Sequence, residues 1–336
     1  MLSARLRARF LGGKVLFEYP FISSVAVDMS EETFGKYEGS ALLTSAERIC
    51  SVAQLENETV YGGGAAALHA EGLRGRGVGI AVIDTGIYPH LDFCVPHMRI
   101  AAFVDFVGDK SYAYDDNGHG TSVAGIAASG GRFGPEGAAP LSDIIALKAV
   151  NASGTGGIIE ILNAMQWIYS HCRELNIKVV NCSLGSEPIK GRDPLVMGVE
   201  ALVSIGLTVV ASAGNGGPEE DTIKSPGLSE SAITVGGALK SGTNWTAAPF
   251  SSRGGEAVPK PDLIAPGVDI DTLKAGGGFI RMSGTSAAAP YVAGYCALLK
   301  EKYPTATPLR IKELVLSSLK SLDCPHFACG NGVLFD

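Results

Sequence analysis

The run Gly79-Ile-Ala-Val-Ile-Asp-Thr-Gly86 decides the architecture. A strand is predicted over 79–84: apolar residues follow one another without polar alternation, and then an aspartate enters a turn. A strand that is apolar on both faces is covered on both faces, as in a parallel sheet flanked by helices. Four more runs read the same way: 144–150, 178–184 (KVVNCSL), 207–213 (LTVVASA) and 232–235. Helical patterns lie between them. Over 157–175 the residues Ile158, Ile161, Leu162, Met165, Ile168 and Cys172 recur at spacings of three and four, which makes one helix face. The stretches 196–205 and 286–302 predict two further helices. Pro290 is expected in the first turn or so of the latter, where a missing N–H costs little. The alternation predicts an α/β fold, a doubly wound parallel sheet with helices on both faces.

Composition supports a globular chain. The 336 residues allow one large domain or two ordinary ones. Hydrophobic residues at 46% and charged residues at 18% exclude a disordered polymer. The 44 glycines follow no Gly-x-y period, so they signal turns and close backbone approaches rather than collagen. A net charge of −7 argues against a nucleic-acid partner. No run approaches the ~18 apolar residues of a membrane span, so no membrane partner is expected either. The basic N-terminus lacks the apolar core of a signal peptide, which makes the cytoplasm the expected location, with export by another route left open. Seven cysteines (Cys50, Cys94, Cys172, Cys182, Cys296, Cys324, Cys329) form no CxxC pair and read as buried free thiols. Cys324 and Cys329 are near enough in sequence for a disulfide to be the alternative.

The first fifty or so residues have a different texture. A strand is predicted over 22–29, a short acidic helix over 30–37, and a turn plus strand over 41–53. The polar, then glycine-rich stretch 56–64 reads as a linker. The boundary falls within 50–60, giving a small α+β segment 1–55 and a larger domain 56–336.

Three segments carry chemistry: Asp84-Thr-Gly86, Asn117-Gly-His119-Gly-Thr-Ser-Val-Ala-Gly125, and Ser283-Gly-Thr-Ser286-Ala-Ala-Ala-Pro290. Taken singly, each has a plain structural reading: a turn aspartate, a histidine in a glycine-rich bend, a serine capping a helix. Together they place Asp, His and Ser at element ends, where the ligand sites of α/β sheets gather.

In this order and with these motifs, the chain resembles the subtilisin-like serine proteases (subtilases) over roughly residues 60–320, with the flavour of the bacterial cytoplasmic members. A fourth motif, Ser212-Ala-Gly214-Asn215, matches as well. The resemblance implies a serine endopeptidase made as a zymogen. Ser286 would be the nucleophile, His119 its base, Asp84 the group that orients His119, and Asn215 with the Ser286 N–H the oxyanion donors. It also implies that Gly154, Thr155 and Gly156 on one side, and Ser183, Leu184 and Gly185 with Gly214 on the other, bind an extended polypeptide substrate. Ser225-Pro226 matches a cis-proline position beside the primary specificity pocket. Counting back from it puts Lys224 near the base of that pocket, where an ammonium would favour an acidic substrate residue. The preferred reading of Lys224 is a solvated lysine on a loop.

The chain also departs from the family. Ser122 stands where a histidine is common, and Ala287 where a methionine is common. No cofactor is required by this chemistry. Asp92 matches a family calcium ligand, but the loop 129–137 (SGGRFGPEG) lacks the Asn and Asp oxygens of the tight calcium loop, so calcium is not expected there, while a weaker calcium ion elsewhere is left open. The N-terminal segment resembles the latter half of a subtilase prodomain. It would act on the chain's own cleft as inhibitor or folding aid, with any cleavage falling within 51–58. The competing reading is a catalytically silent subtilase fold that serves as a binding or regulatory module.

Overall fold

The apolar runs become the middle of one sheet. In this computed structural model residues 14–30 and 64–335 are described. The predicted elements over 30–37 and 41–53, the boundary within 50–60 and the cleavage window 51–58 lie outside them, save Ser30 itself.

The chain opens with β1 (Lys14–Tyr19) and β2 (Ser24–Asp28), paired antiparallel. The helix α1 (Ala65–Ala70) follows, then β3 (Gly79–Asp84), α2 (Leu91–Cys94), β4 (Ile100–Asp105) and α3 (His119–Ala128). Next come β5 (Asp143–Lys148), α4 (Ile158–His171), β6 (Ile177–Cys182), α5 (Pro194–Ser204) and β7 (Thr208–Ser212). The chain continues through β8 (Ile233–Ser241), β9 (Asn244–Ala247), β10 (Leu263–Pro266) and the hairpin β11 (Ile270–Leu273) with β12 (Phe279–Met282). It ends in α6 (Thr285–Lys302), α7 (Pro308–Ser317) and α8 (His326–Cys329).

The main sheet runs β10–β8–β7–β6–β3–β5–β4 with parallel neighbours, and β9 pairs antiparallel with β8. Strand β3 sits between β5 and β6, where the winding reverses. Ligand sites of such sheets form beyond the carboxyl ends at this switch point. The continuous apolar reading of β3 has its cause here. Ile80 and Val82 join the core beneath α3 and α6, while Ala81 and Ile83 join the core beneath α4 and α5. Tyr19 and Ile22 of the N-terminal segment belong to that second core, and the Tyr19 hydroxyl donates to the Ile159 carbonyl at 3.2 Å. None of the described helices is long and apolar enough to cross a membrane.

Four expectations need correction. The strand predicted over 22–29 starts at Ser24, because Pro20–Ile22 forms a 3-10 turn that proline favours at its start. The helix predicted over 157–175 stops at His171, and Asn176 takes a left-handed φ of 46° in the turn that follows. Pro290 lies in the second turn of α6, not the first. The N–H it lacks would have served the Ser286 carbonyl four residues back. That carbonyl instead accepts from Ser183 Oγ at 3.1 Å. Last, Cys324 and Cys329 form a disulfide, since α8 turns the chain enough to bring their Cα atoms to 6.1 Å. Cys94, Cys172, Cys182 and Cys296 are free, as expected.

Candidate active site

Asp84 is the last residue of β3, His119 the first of α3 and Ser286 the second of α6. The three lie far apart in sequence, and the sheet brings their element ends to one edge. Asp84 Oδ1 meets His119 Nδ1 at 2.7 Å and also accepts the Thr85 N–H at 2.7 Å. The glycines of the two motifs are what allow this approach. A Cβ on Gly120 would stand 2.2 Å from the Gly86 carbonyl oxygen and 3.2 Å from Asp84 Cβ.

Asp84 Oδ2, His119 Nε2 and Ser286 Oγ are buried and have no hydrogen-bond partner among the described residues. Buried polar atoms are nearly always satisfied, so one in each of the three motifs calls for an explanation, and a reactive site provides it. Bonds of this kind are often long before substrate arrives and tighten in the complex.

The oxyanion side converges on one point. The position a Cβ would take on Gly284 lies 3.0 Å from Ser286 Oγ, 3.3 Å from Asn215 Nδ2 and 3.7 Å from the Ser286 nitrogen. Gly284 has φ 143°, a conformation that side chains disfavour, so backbone and space both require glycine there. The Asn215 amide is oriented from behind: its Oδ1 accepts from Thr285 N and from Thr285 Oγ1, both at 3.0 Å. Thr285 Oγ1 in turn accepts the Gly214 N–H at 3.2 Å. Ser286 sits at the positive end of the 18-residue helix α6, which also favours negative charge at this point.

The expected substrate-binding residues flank this centre. Gly154, Thr155 and Gly156 lie in the loop between β5 and α4. Ser183, Leu184 and Gly185 follow β6, and Gly214 follows β7. All leave the sheet at its carboxyl edge. The Ser225–Pro226 bond is cis. Lys224 differs from expectation. It is half-buried rather than solvated, and its ammonium is paired with Glu187.

Sequence reasoning missed two supporting residues. The Asp115 carboxylate accepts from Thr85 Oγ1 at 2.9 Å, Gly118 N at 2.8 Å, Thr121 N at 2.9 Å and Thr121 Oγ1 at 2.6 Å. It thereby locks the start of α3 to the turn after β3. Lys148, fully buried and opposite Asp84 in the β3–β5 ladder, donates to Thr85 O at 2.6 Å, Val150 O at 3.0 Å and Asp116 Oδ1 at 2.7 Å. A buried ammonium is tolerated only with such a full set of acceptors. The pair Asp115-Asp116 directly before the Asn117-Gly-His119 motif was the available signal for Asp115. For Lys148, at the end of an apolar run, the signal was a charge where burial was expected.

Electrostatics favour a base with a raised pKa. Burial lowers the His119 pKa, but the Asp84 carboxylate at 2.7 Å and the charge of Asp115 outweigh it, and the net shift is upward from the ordinary 6.5. The neutral imidazole is the form that can accept a proton, so the acid limb of kcat/KM is expected above pH 6.5. A limb centred at or below pH 6 in the pH–rate profile would contradict this geometry. Stability runs the other way: the charged pair stabilises the fold below the unfolded pKa, and that contribution is lost as pH rises through the raised folded value. Burial, followed by the Asp84 charge, pushes the Cys182 thiol up to about 12, so it is no competing thiolate at neutral pH.

The calcium ligand suggested by Asp92 does not fit a cation. Its carboxylate accepts from Arg132 N at 2.6 Å and from Phe133 N at 3.0 and 3.2 Å. The loop turns amide hydrogens, not carbonyl oxygens, toward the charge, whereas calcium needs six to eight oxygens. Among the described residues no group of three or more His, Cys, Asp or Glu could hold a metal ion. Asp92→Ala is expected to destabilise by about 1–3 kcal/mol by leaving buried amides unsatisfied. The wild-type-to-variant difference in melting temperature should be the same in EGTA and in calcium. A difference that vanished in EGTA would mean that Asp92 binds the ion. The two family departures also have partners or a place in the packing: Ser122 Oγ donates to Leu273 O at 2.9 Å, tying α3 to β11, and Ala287 is fully buried in α6.

Comparison with known proteins gives a consistent picture. The subtilase family model matches residues 75–332. Serine protease AprX of Bacillus subtilis is 39% identical over 72% of this chain, which spans 61% of that protein's length. Subtilisin E of the same organism is 32% identical over 96% of this chain and 82% of its own. Among solved structures, Sphericase superposes with a TM-score of 0.72 at 28% identity, covering 83% of this chain and 99% of its own. A psychrophilic protease, S41, gives 0.69 at 28% identity with the same coverage.

Proposed function

Because this chain belongs to the subtilase family of serine endopeptidases, we propose that it hydrolyses peptide bonds of polypeptides through Ser286, His119 and Asp84 by way of an acyl-enzyme. The observation that carries this reading is the convergence of Ser286 Oγ, Asn215 Nδ2 and the Ser286 nitrogen around one point; the hydrogen bond that holds His119 to the Asp84 carboxylate supports it.

The steps follow from those atoms. His119 Nε2 takes the Ser286 proton as Oγ bonds to the substrate carbonyl carbon. The carbonyl oxygen becomes an oxyanion facing Asn215 Nδ2 and the Ser286 N–H. His119 returns the proton to the departing amine, the C–N bond breaks, and an ester to Ser286 remains. Water then repeats the sequence with His119 as base, releasing the acid and restoring the serine. Asp84 fixes the His119 tautomer and stabilises the transient imidazolium without taking the proton. The substrate backbone lies extended between Gly154-Thr155-Gly156 and Ser183-Leu184-Gly185 as a middle strand.

The N-terminal segment fits a zymogen. Its docking on α4 and α5 through Tyr19 and Ile22 would hold it beside the substrate strands that those helices follow. Treating purified protein with a fluorophosphonate and reading intact mass tests the whole reading. One adduct on Ser286 is expected, with none on Ser286→Ala, and wild type alone should lose its N-terminal segment. No adduct, even on a chain lacking that segment, would favour the silent fold.

A further inference from the structure

We infer that Lys224 and Glu187 together form the floor of the primary specificity pocket and restrict it to uncharged substrate side chains of short to medium length, Ala to Leu. This deepens the proposed function and rests on Ser286 being the nucleophile.

The position follows from the backbone. A substrate carbonyl seated at Asn215 Nδ2 and Ser286 N directs its own residue's side chain between two walls, 183–185 and 213–216. Both walls are tied to the nucleophile: Ser183 Oγ donates to Ser286 O, and Gly214 N donates to Thr285 Oγ1. The segment that joins the walls carries Lys224. Its N–H donates to Ala213 O at 2.9 Å, and Ser225 exchanges both backbone hydrogen bonds with Ser186 at 2.9 and 3.0 Å.

The Lys224 stem then runs along three glycines. A Cβ on Gly185 would lie 2.9 Å from Lys224 Cβ, one on Gly214 2.5 Å from Cγ, and one on Gly216 3.6 Å from Cε. Methylenes therefore occupy the space between the walls, and they set the depth. At the far end the ammonium meets the Glu187 carboxylate. An acidic substrate side chain would meet a positive charge already cancelled, with Glu187 repelling it. A basic one would meet the reverse. The stem shortens the pocket against aromatic residues, and the ion pair, although its Glu187 end is exposed, leaves neither charge free to select its opposite.

A set of peptides identical except for Ala, Leu, Phe, Glu or Lys before the scissile bond tests this, read as kcat/KM. Wild type is expected to cleave after Ala and Leu at least tenfold faster than after Phe, Glu or Lys. Lys224→Ala removes the stem and should raise the Phe/Ala ratio by about tenfold or more. Lys224→Met keeps the stem but leaves Glu187 unpaired. It should keep Phe poor and raise the Lys/Ala ratio. Glu187→Gln leaves the ammonium uncompensated and should raise the Glu/Ala ratio about tenfold. Wild type cleaving after Phe as fast as after Leu would overturn the depth argument. A Glu/Ala ratio unmoved by Glu187→Gln would overturn the charge argument. Fluorophosphonate labelling of each sample separates the two failures. Labelled Ser286 with an unexpected peptide order sinks the pocket alone, while absent labelling sinks the proposed activity and the pocket with it.

Discussion

Replacing Ser286 with alanine is expected to lower kcat on a polypeptide substrate by about 10⁶-fold, the scale subtilisin itself sets for its serine, while the melting temperature stays level or rises. The two halves of this result come from one atom. Ser286 Oγ is buried and makes no hydrogen bond among the described residues. Removing it costs the fold no partner and spares the desolvation of a hydroxyl. On the proposed mechanism the reaction loses the atom that forms the acyl bond. His119→Ala should cost about as much, and the double variant little more, because a base without a nucleophile has nothing to deprotonate. Losses that multiplied in the double variant would show that the two residues act separately, against the geometry at Asp84 and His119.

Asn215→Ala is expected to lower kcat by about 10²–10³ with little change in KM; that range was itself measured at the equivalent asparagine of subtilisin. The donor matters only when the carbonyl oxygen carries charge, so its removal is felt in the transition state rather than in binding. The amide is already fixed, since Thr285 N and Thr285 Oγ1 both hold its oxygen at 3.0 Å. Its NH2 therefore faces the centre with no reorganisation to make during the reaction. Thr285→Val removes one of those two ties and should give a smaller loss of the same kind. An Asn215→Ala variant with raised KM and unchanged kcat would move Asn215 from the oxyanion to ground-state binding.

Much of this was legible before any coordinates. Strand β3 matches its predicted bounds because a strand buried on both faces writes an unbroken apolar run. Strand β8 extends past its predicted end, since Gly236 and Gly237 interrupt that signal without breaking the ladder. The motifs were legible because glycine and small residues mark close approaches, and each glycine shows at its own position in the sequence even when the backbone it approaches is distant. What stayed hidden was long-range and polar. Lys148 reaches Asp116, Glu187 reaches Lys224, and Ser183 reaches the Ser286 carbonyl, over 32, 37 and 103 residues. No periodicity encodes such pairs. Lys224 shows the limit well. Its position in the chain pointed to the pocket, but its charge could not be interpreted without the partner that cancels it.

The loop clamped on Asp92 carries a consequence for how this protein can vary. A loop held by a dissolved ion gains stability by mass action, as RT ln(1 + [L]/Kd), and lends its tightness to the surroundings' supply. Here the carboxylate is held by the amides of Arg132 and Phe133, with the Arg99 guanidinium as its counter-charge, and neither can dissociate. The dependence moves from concentration to geometry. Surface loops ordinarily accept insertions and deletions freely. This one must keep its length, because a residue added or lost between Ser129 and Phe133 carries the amides past the carboxylate. The segment's tolerance to change is thus set by spacing, and what it gains is indifference to the medium.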